Sequence, residues 1–199
     1  LAKIRLLIAM VDPEEKIQQI DKHVDYLDSI ITNILISDKL AMPYTNLDTT
    51  EISVEDLINQ AIELSKNKNI KYINPVPTRI KCDTIKIAIV IKNLLDNAEK
   101  YAPSNHPVEI STVFEGDNVN VVVRDFGPGI DKKLIQKITD PYVRGKNLKQ
   151  PGFGLGLSIC KKVMDSHRGL LKIDNMSDVG CCFTISWNYK ILKIVKKRA

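Results

Sequence analysis

The run Asn93-Leu94-Leu95-Asp96-Asn97-Ala98-Glu99-Lys100-Tyr101 constrains this chain more than any other stretch. It closes an apolar segment of helix length that opens at Asp83. At about 100° per residue, Ile87, Ile91, Leu94, Leu95 and Ala98 fall near one side of a helix. Asn93, Asn97, Lys100 and Tyr101, spaced i, i+4, i+7 and i+8, fall on a second side spread over roughly 100°. One face therefore belongs in a core, while another presents two amides, an ammonium and a phenol. An Asn carbonyl oxygen can ligate Mg2+. Lys offers a point charge to phosphate and Tyr an apolar plate to a base. An ordinary surface helix also shows a polar face to solvent, so this stretch alone leaves both readings open.

Composition narrows the frame. With 199 residues, 44% of them hydrophobic, the chain can build one good core, or a core plus a smaller element. It begins with Leu rather than Met, so it is expected to be part of a longer protein. No uncharged apolar run approaches the roughly 20 residues of a membrane span, and no signal peptide is visible. The segment is expected to be soluble, whatever holds a longer protein at a membrane. Net charge is +5, and the stretch 190–199 carries five of the 29 basic residues and no acid. Without those five, 24 basic residues face 24 acidic ones. A neutral domain with a short basic, solvated tail is not the footprint of a nucleic-acid-binding protein. Cys82, Cys160, Cys181 and Cys182 show no zinc-site spacing, so reduced thiols are expected.

Along the chain, residues 1–11 read as the end of a helix. Asp12-Pro13-Glu14-Glu15 is a strong helix start, with a capping Asp, Pro in the first turn and acids at the N-terminus. Ile17, Ile20, Val24, Leu27, Ile31 and Ile34 then alternate spacings of three and four, an a/d seam. A helical hairpin with such a seam over residues 1–40 calls for a partner, and a homodimer through these helices is preferred over packing on the chain's own domain. Residues 41–50 read as a linker. Glu51-Ile52 suggests a short strand, and Ser53 caps a helix to about Lys66. Residues 70–74 and 79–82 look like strands around a Pro75-Val76-Pro77 turn. Asp83 caps the central helix, which ends near Tyr101 before Pro103. Residues 108–114 and 119–124 are strands joined by a Gly116-Asp117-Asn118 hairpin. Asp131 starts a short helix, residues 139–153 read as a mobile loop, a helix ends near His167, and 170–174 and 181–187 are the last strands. This pattern predicts an α+β fold, a layer of helices on one face of a sheet.

Three further stretches carry chemistry. In Asp125-Phe126-Gly127-Pro128-Gly129-Ile130 a carboxylate at a strand end can accept from an exocyclic amine. The two glycines let backbone approach a flat ligand. Gly152-Phe153-Gly154-Leu155-Gly156-Leu157 leads into a helix and suits phosphate at a helix N-terminus. It is neither a dinucleotide fingerprint, since no strand precedes it, nor a P-loop, since no Gly-Lys-Ser/Thr follows. Pro141-Tyr142-Val143-Arg144 adds an aromatic ring and a guanidinium able to engage phosphate. Singly, each glycine stretch is also an ordinary turn.

Together and in this order, the four stretches resemble the catalytic domain of sensor histidine kinases, in the GHKL ATPase superfamily. Residues 93–101 match that family's N box, 125–130 its first glycine box, 141–144 its F box with Tyr in place of Phe, and 152–157 its second glycine box. The resemblance implies a two-layer α/β sandwich, the Bergerat ATP-binding fold, over residues 51–189. It implies a partial dimerisation and phosphotransfer hairpin over 1–40, whose accepting His-Glu-x-Lys/Arg-Thr-Pro motif should precede Leu1. Asn97 should ligate Mg2+, Asn93 hold phosphate or water near it, and Lys100 and Arg144 reach the phosphates. Tyr101 should flank the adenosine, and Tyr142 and Arg144 open the lid over the ATP. Asp125 should read the adenine amine in a pocket shaped by Gly127, Gly129 and Ile130. Gly152, Gly154, Leu155, Gly156 and Leu157 should bring backbone to the phosphates. Gly180-Cys181 stands where the family often has Gly-Thr, and a thiol is a weaker substitute for that hydroxyl.

The implied activity is transfer of the γ-phosphoryl of ATP, with Mg2+, to a histidine upstream of this segment, and then to an aspartate of a cognate response regulator. The full-length protein would sit on the cytoplasmic side of the cell membrane. Two alternatives stay open: a GHKL ATPase that couples hydrolysis to conformational change, and a degenerate nucleotide-binding scaffold. Asn93 is a poor general base where hydrolysing relatives carry Glu, and the four intact stretches argue against a scaffold. Neither His23, His106 nor His167 has the accepting context, and a capping role is expected for His167.

Overall fold

The computed structural model describes residues 47–65, 69–102, 106–145 and 154–188, all within the unit spanning Met42–Ala199. The expected hairpin with its seam and His23, residues 41–46 of the linker, residues 146–153 with Gly152, and the basic tail lie outside the described residues.

The described chain runs β1 (Thr50–Ser53), α1 (Val54–Leu64), β2 (Ile70–Ile73), β3 (Arg79–Cys82), α2 (Thr84–Tyr101), β4 (Val108–Glu115) and β5 (Asn118–Arg124). It continues α3 (Lys132–Ile135), α4 (Gly156–Ser166), β6 (Leu170–Asn175) and β7 (Cys181–Asn188). A five-stranded sheet has the order β2-β4-β5-β7-β6, and β1 and β3 form a separate two-stranded ribbon. Pairing is antiparallel except for β2 against β4, which is parallel. Helices packed on a sheet make the expected α+β, two-layer arrangement.

Period-two burial puts one sheet face in the core. Cys181, Phe183, Ile185 and Trp187 of β7 and Val119, Val121 and Val123 of β5 are buried. Against this face lies the apolar side of α2, where Ile87, Ile91, Leu94, Leu95 and Ala98 are fully buried. Each such side chain removed from water contributes roughly 1.5–3 kcal/mol, less for Ala. The residues that 3.6-residue periodicity assigned to the core are therefore the ones that hold α2 in place.

The turn at Pro75-Val76-Pro77 does not make a hairpin. β3 pairs with β1, Cys82 opposite Thr50, and β2 joins the other sheet beside β4. Asn74 leaves β2 in a left-handed conformation, φ 51°, and its carbonyl accepts from Thr112 Oγ1 at 2.9 Å. Two prolines without N–H groups then offer β2 no ladder to fold back on.

Side chains cap three helices at their N-termini. Ser53 accepts from the Asp56 N–H, Asp83 from the Lys86 N–H, and Asp131 from the Lys133 N–H. His167 ends α4 and is only 3% exposed. Its Nδ1–H donates to the Val163 carbonyl at 2.8 Å, and Nε2 accepts from the Asp83 N–H at 3.1 Å. These two bonds define the tautomer and tie the end of α4 to the start of α2. Burial lowers the imidazole pKa from its ordinary value, so the neutral ring is a structural cap, in line with the role expected of it.

Candidate functional site

The site is organised around the C-terminal half of α2, because both glycine stretches close on it. A Cβ built on Gly127 would lie 2.5 Å from the Tyr101 carbonyl oxygen, so only Gly lets the first stretch cross the end of α2. A Cβ on Gly156 would lie 3.9 Å from Asn97 Nδ2, which brings the first turn of α4 alongside Asn97. Asn93 sits one turn earlier. Its Nδ2 is buried without a hydrogen-bond partner. It faces the Cys160 thiol, whose sulfur is too weak an acceptor to satisfy it.

Asp125 closes the other side, only 4% exposed. Its Oδ1 accepts from the Gly127 N–H at 2.8 Å and the Cys181 N–H at 3.1 Å. Oδ2 is the oxygen available to a ligand. Burial raises the pKa of this carboxyl and the two N–H bonds pull against that rise. Gly180, φ 86°, packs so closely that a Cβ there would fall inside the Asp125 carbonyl group. Gly129 is also left-handed, φ 77°.

The cationic groups lie beyond Tyr101. Lys100 Nζ stands 5.6 Å from the Tyr101 ring centre. Burial, and then the nearby charge of Arg144, lowers the Lys100 pKa. Arg144 also acts on Tyr101, whose pKa burial raises. Arg144 is thus close enough to both for its charge to be felt. Tyr142 is 73% exposed, with φ 66°. Its N–H donates to the Gly154 carbonyl at 3.0 Å, joining residues 141–144 to the second glycine stretch. Gly154, φ 72°, would carry a Cβ 2.6 Å from the Val143 carbonyl. Leu155 occupies the N-cap of α4 and no side chain caps it. This helix alone among the three long ones described keeps its first N–H groups uncapped by a side chain.

Sequence reasoning missed three supports of the Asp125 loop. Arg124 stacks over Phe126, 4.6 Å from the ring centre, and bridges to Asp178 at 2.7 Å. His106 faces the Phe126 ring at 5.4 Å. Asn175 bonds both backbone groups of Ile130. An Asn at a strand end reads as ordinary turn chemistry, so no local pattern marks it. Among the described residues no cluster of three His, Cys, Asp or Glu could hold a metal. A cation here would rest on an amide oxygen and on oxygens of its ligand, which suits Mg2+.

Residues 82–191 match the family described as histidine kinase-, DNA gyrase B-, and HSP90-like ATPase. The adaptive-response sensory kinase SasA of Rippkaea orientalis is 32% identical over 180 residues, covering 85% of this chain and 46% of the relative. The chain thus spans about half the length of that protein. The catalytic domain of histidine kinase ThkA superposes with a TM-score of 0.61 at 30% identity, over 71% of this chain and 98% of that one. ThkA in complex with the response regulator protein TrrA superposes with a TM-score of 0.69 at 26% identity, over 94% of this chain and 55% of that one.

Proposed function

The chain belongs to the family of histidine kinase-, DNA gyrase B-, and HSP90-like ATPases, and we propose that it is the kinase core of a two-component sensor histidine kinase. In this reading it binds Mg-ATP, and the γ-phosphoryl passes to a histidine outside these 199 residues and then to an aspartate of a response regulator. The supporting observation is the place of α2 between the two glycine stretches, with Gly127 against Tyr101 and Gly156 beside Asn97. Asp125 Oδ2 accepts the adenine amine. Tyr101 flanks the adenosine, and Gly129 and Ile130 line the base. A triphosphate beside Lys100 and Arg144 offsets the repulsion that Arg144 exerts on the Lys100 charge. The uncapped N–H groups of α4, entered through Gly154, Leu155, Gly156 and Leu157, bond phosphate oxygens. Asn93, one turn before Asn97, holds a phosphate or an ordered water near the ion. Mg2+, held by the Asn97 amide oxygen, would neutralise phosphate charge when bound.

A response-regulator partner is supported by the ThkA complex. Dimerisation through the N-terminal seam, and anchoring of a longer protein at the inner face of the cell membrane, belong to the same proposal. Calorimetry tests the site. The 199-residue chain should bind ATP with a Mg2+-dependent gain, and Asn97→Ala should lose that gain, about tenfold or more for one ligand of the ion. Unchanged affinity in a folded variant removes Asn97 from the role. Incubation with γ-labelled ATP tests the acceptor, since phosphohistidine is acid-labile. Acid-labile label on the bare chain would place the acceptor at His23 or His106. His167 is buried with both ring nitrogens engaged.

A further inference from the structure

We infer that Asn175 is a positioning residue of the nucleotide pocket: with the Cys181 thiol it fixes the Ile130 backbone relative to Asp125 and so sets the fit of the base. The inference rests on the nucleotide-binding reading above. Asn175 ends β6 and pairs with Cys181, which starts β7. The Ile130 N–H donates to Asn175 Oδ1 at 2.8 Å, and Asn175 Nδ2 donates to the Ile130 carbonyl at 2.6 Å. This is the two-bond exchange of an antiparallel pair, supplied by a side chain to a residue outside any strand. A flipped amide would oppose two donors and two acceptors, so the orientation follows from the bonds.

Oδ1 also accepts from Cys181 Sγ at 3.2 Å. Burial, then the Asp125 charge, pushes the Cys181 thiol up to about 11, so it stays protonated and remains a donor. The Cys181 N–H meanwhile goes to Asp125 Oδ1. One residue therefore reaches both the carboxylate that reads the amine and the amide that clamps the far end of the loop. Between those two pins, a Cβ on Gly129 would lie 3.1 Å from Asn175 Oδ1, so side chain and glycine fit each other. Asn175 itself is exposed and adds little to the core. Its two bonds act on the shape of the loop, and a loop fixed before binding spares the ligand the cost of ordering it.

Calorimetry on the whole 199-residue chain tests this, with thermal unfolding alongside. Asn175→Ala should weaken ATP and ADP alike by about tenfold, the loss of two modest hydrogen bonds, because the base end is common to both. Asn175→Asp keeps an acceptor for the Ile130 N–H but sets a carboxylate oxygen against the Ile130 carbonyl. It should bind more weakly than Asn175→Ala at pH 7.5, because the ionised carboxylate faces the Ile130 carbonyl. A merely structural role would lower the melting temperature and leave the affinity of the folded chain unchanged. A parent chain that fails to bind ATP overturns the nucleotide reading, and this inference with it. A parent that binds, with both variants binding as tightly as the parent, overturns this inference alone.

Discussion

At the Asp125 end of the site, the protein's own groups hold one another. The carboxylate takes two N–H bonds, Asn175 clamps Ile130, Arg124 and His106 flank Phe126, and Gly180 packs under the loop. At the Tyr142–Arg144 end the same chain leaves its aromatic ring and guanidinium exposed, and starts α4 without a side-chain cap. The difference follows from what each end is proposed to recognise. A base is flat and discriminated by one amine, so a rigid pocket serves it. A triphosphate is highly charged, and donors already satisfied by the protein would have to be unmade to bind it. The folded state closes one end with its own side chains and, at the other, leaves the start of α4 without a side-chain cap.

The largest test sets a glycine from each end against the other. Gly180→Ala must place a Cβ inside the Asp125 carbonyl at a left-handed position. Such a clash costs roughly 3 kcal/mol or more, and chemical denaturation should show it together with loss of nucleotide binding. Gly156→Ala meets only ordinary contact, 3.9 Å from Asn97 Nδ2, in the first turn of a helix. It should keep or gain stability, by up to about 1 kcal/mol. Equal destabilisation by the two would mean that the ends are equally constrained.

The next test separates recognition from stability at the rigid end. The Asp125 pKa is raised in the folded protein, burial being the main cause. Its contribution to stability is therefore full below the unfolded value and is lost as pH rises through the folded one. Asp125→Asn keeps an oxygen for the two N–H bonds and removes the buried charge. The variant should melt higher than the parent at pH 7, with the gain vanishing in acid. It should also bind ATP about 10- to 100-fold more weakly, since an amide N–H2 would face the adenine amine. A variant that melts lower at pH 7 would show that the charge is stabilised by more than these bonds.

The sequence was most informative where one element carries two periodicities. The core face and the polar face of α2 were both legible, because helix spacing alone sorts Leu94 from Asn93. Glycine stretches were legible as places of close approach, and Gly127 against Tyr101 shows what approaches what. The strands on either side of Pro75-Val76-Pro77 were legible, but their separate pairing, β2 with β4 and β3 with β1, was not, because local turn signals do not reveal which strand a neighbour joins. Asn175 and Arg124 were invisible for a related reason. Their partners lie 45 and 54 residues away in the chain, and the β5–β7 and β6–β7 pairings together bring Asn175 and Asp178 to the Asp125 loop.

A smaller test asks whether the open end stands on a firm base. His167 joins α4 to α2, the two helices proposed to hold the phosphates. Its pKa is depressed in the folded protein, burial being the largest cause. The stability it confers is therefore present above the ordinary value of 6.5 and is lost as pH falls through the folded value. His167→Gln should cost about 1–2 kcal/mol at pH 7.5 through the lost buried bonds and should flatten the acid limb of the stability profile. A variant with the parent's acid limb would assign that limb to other groups.

The smallest expected effect comes from Arg168, which lies just past the end of α4 with φ 54°. This is the position where helices favour glycine, and an L-residue there carries strain of about 1 kcal/mol. The neighbouring Gly169 cannot share the task of carrying a side chain, because a Cβ there would lie 2.6 Å from both Met164 Cε and the Ser186 carbonyl. The Arg168 side chain is exposed, so little packing is lost with it. Arg168→Gly relieves the strain but frees the unfolded chain, and the net gain should be about 0.5 kcal/mol, a rise of about 2 °C in melting temperature. Affinity for ATP should stay within twofold of the parent, because the change lies at the far end of α4 from Gly156. A change in affinity larger than the change in stability would show that the start of α4 responds to its end, and the contrast between a fixed and an open end would then have to be redrawn around that helix.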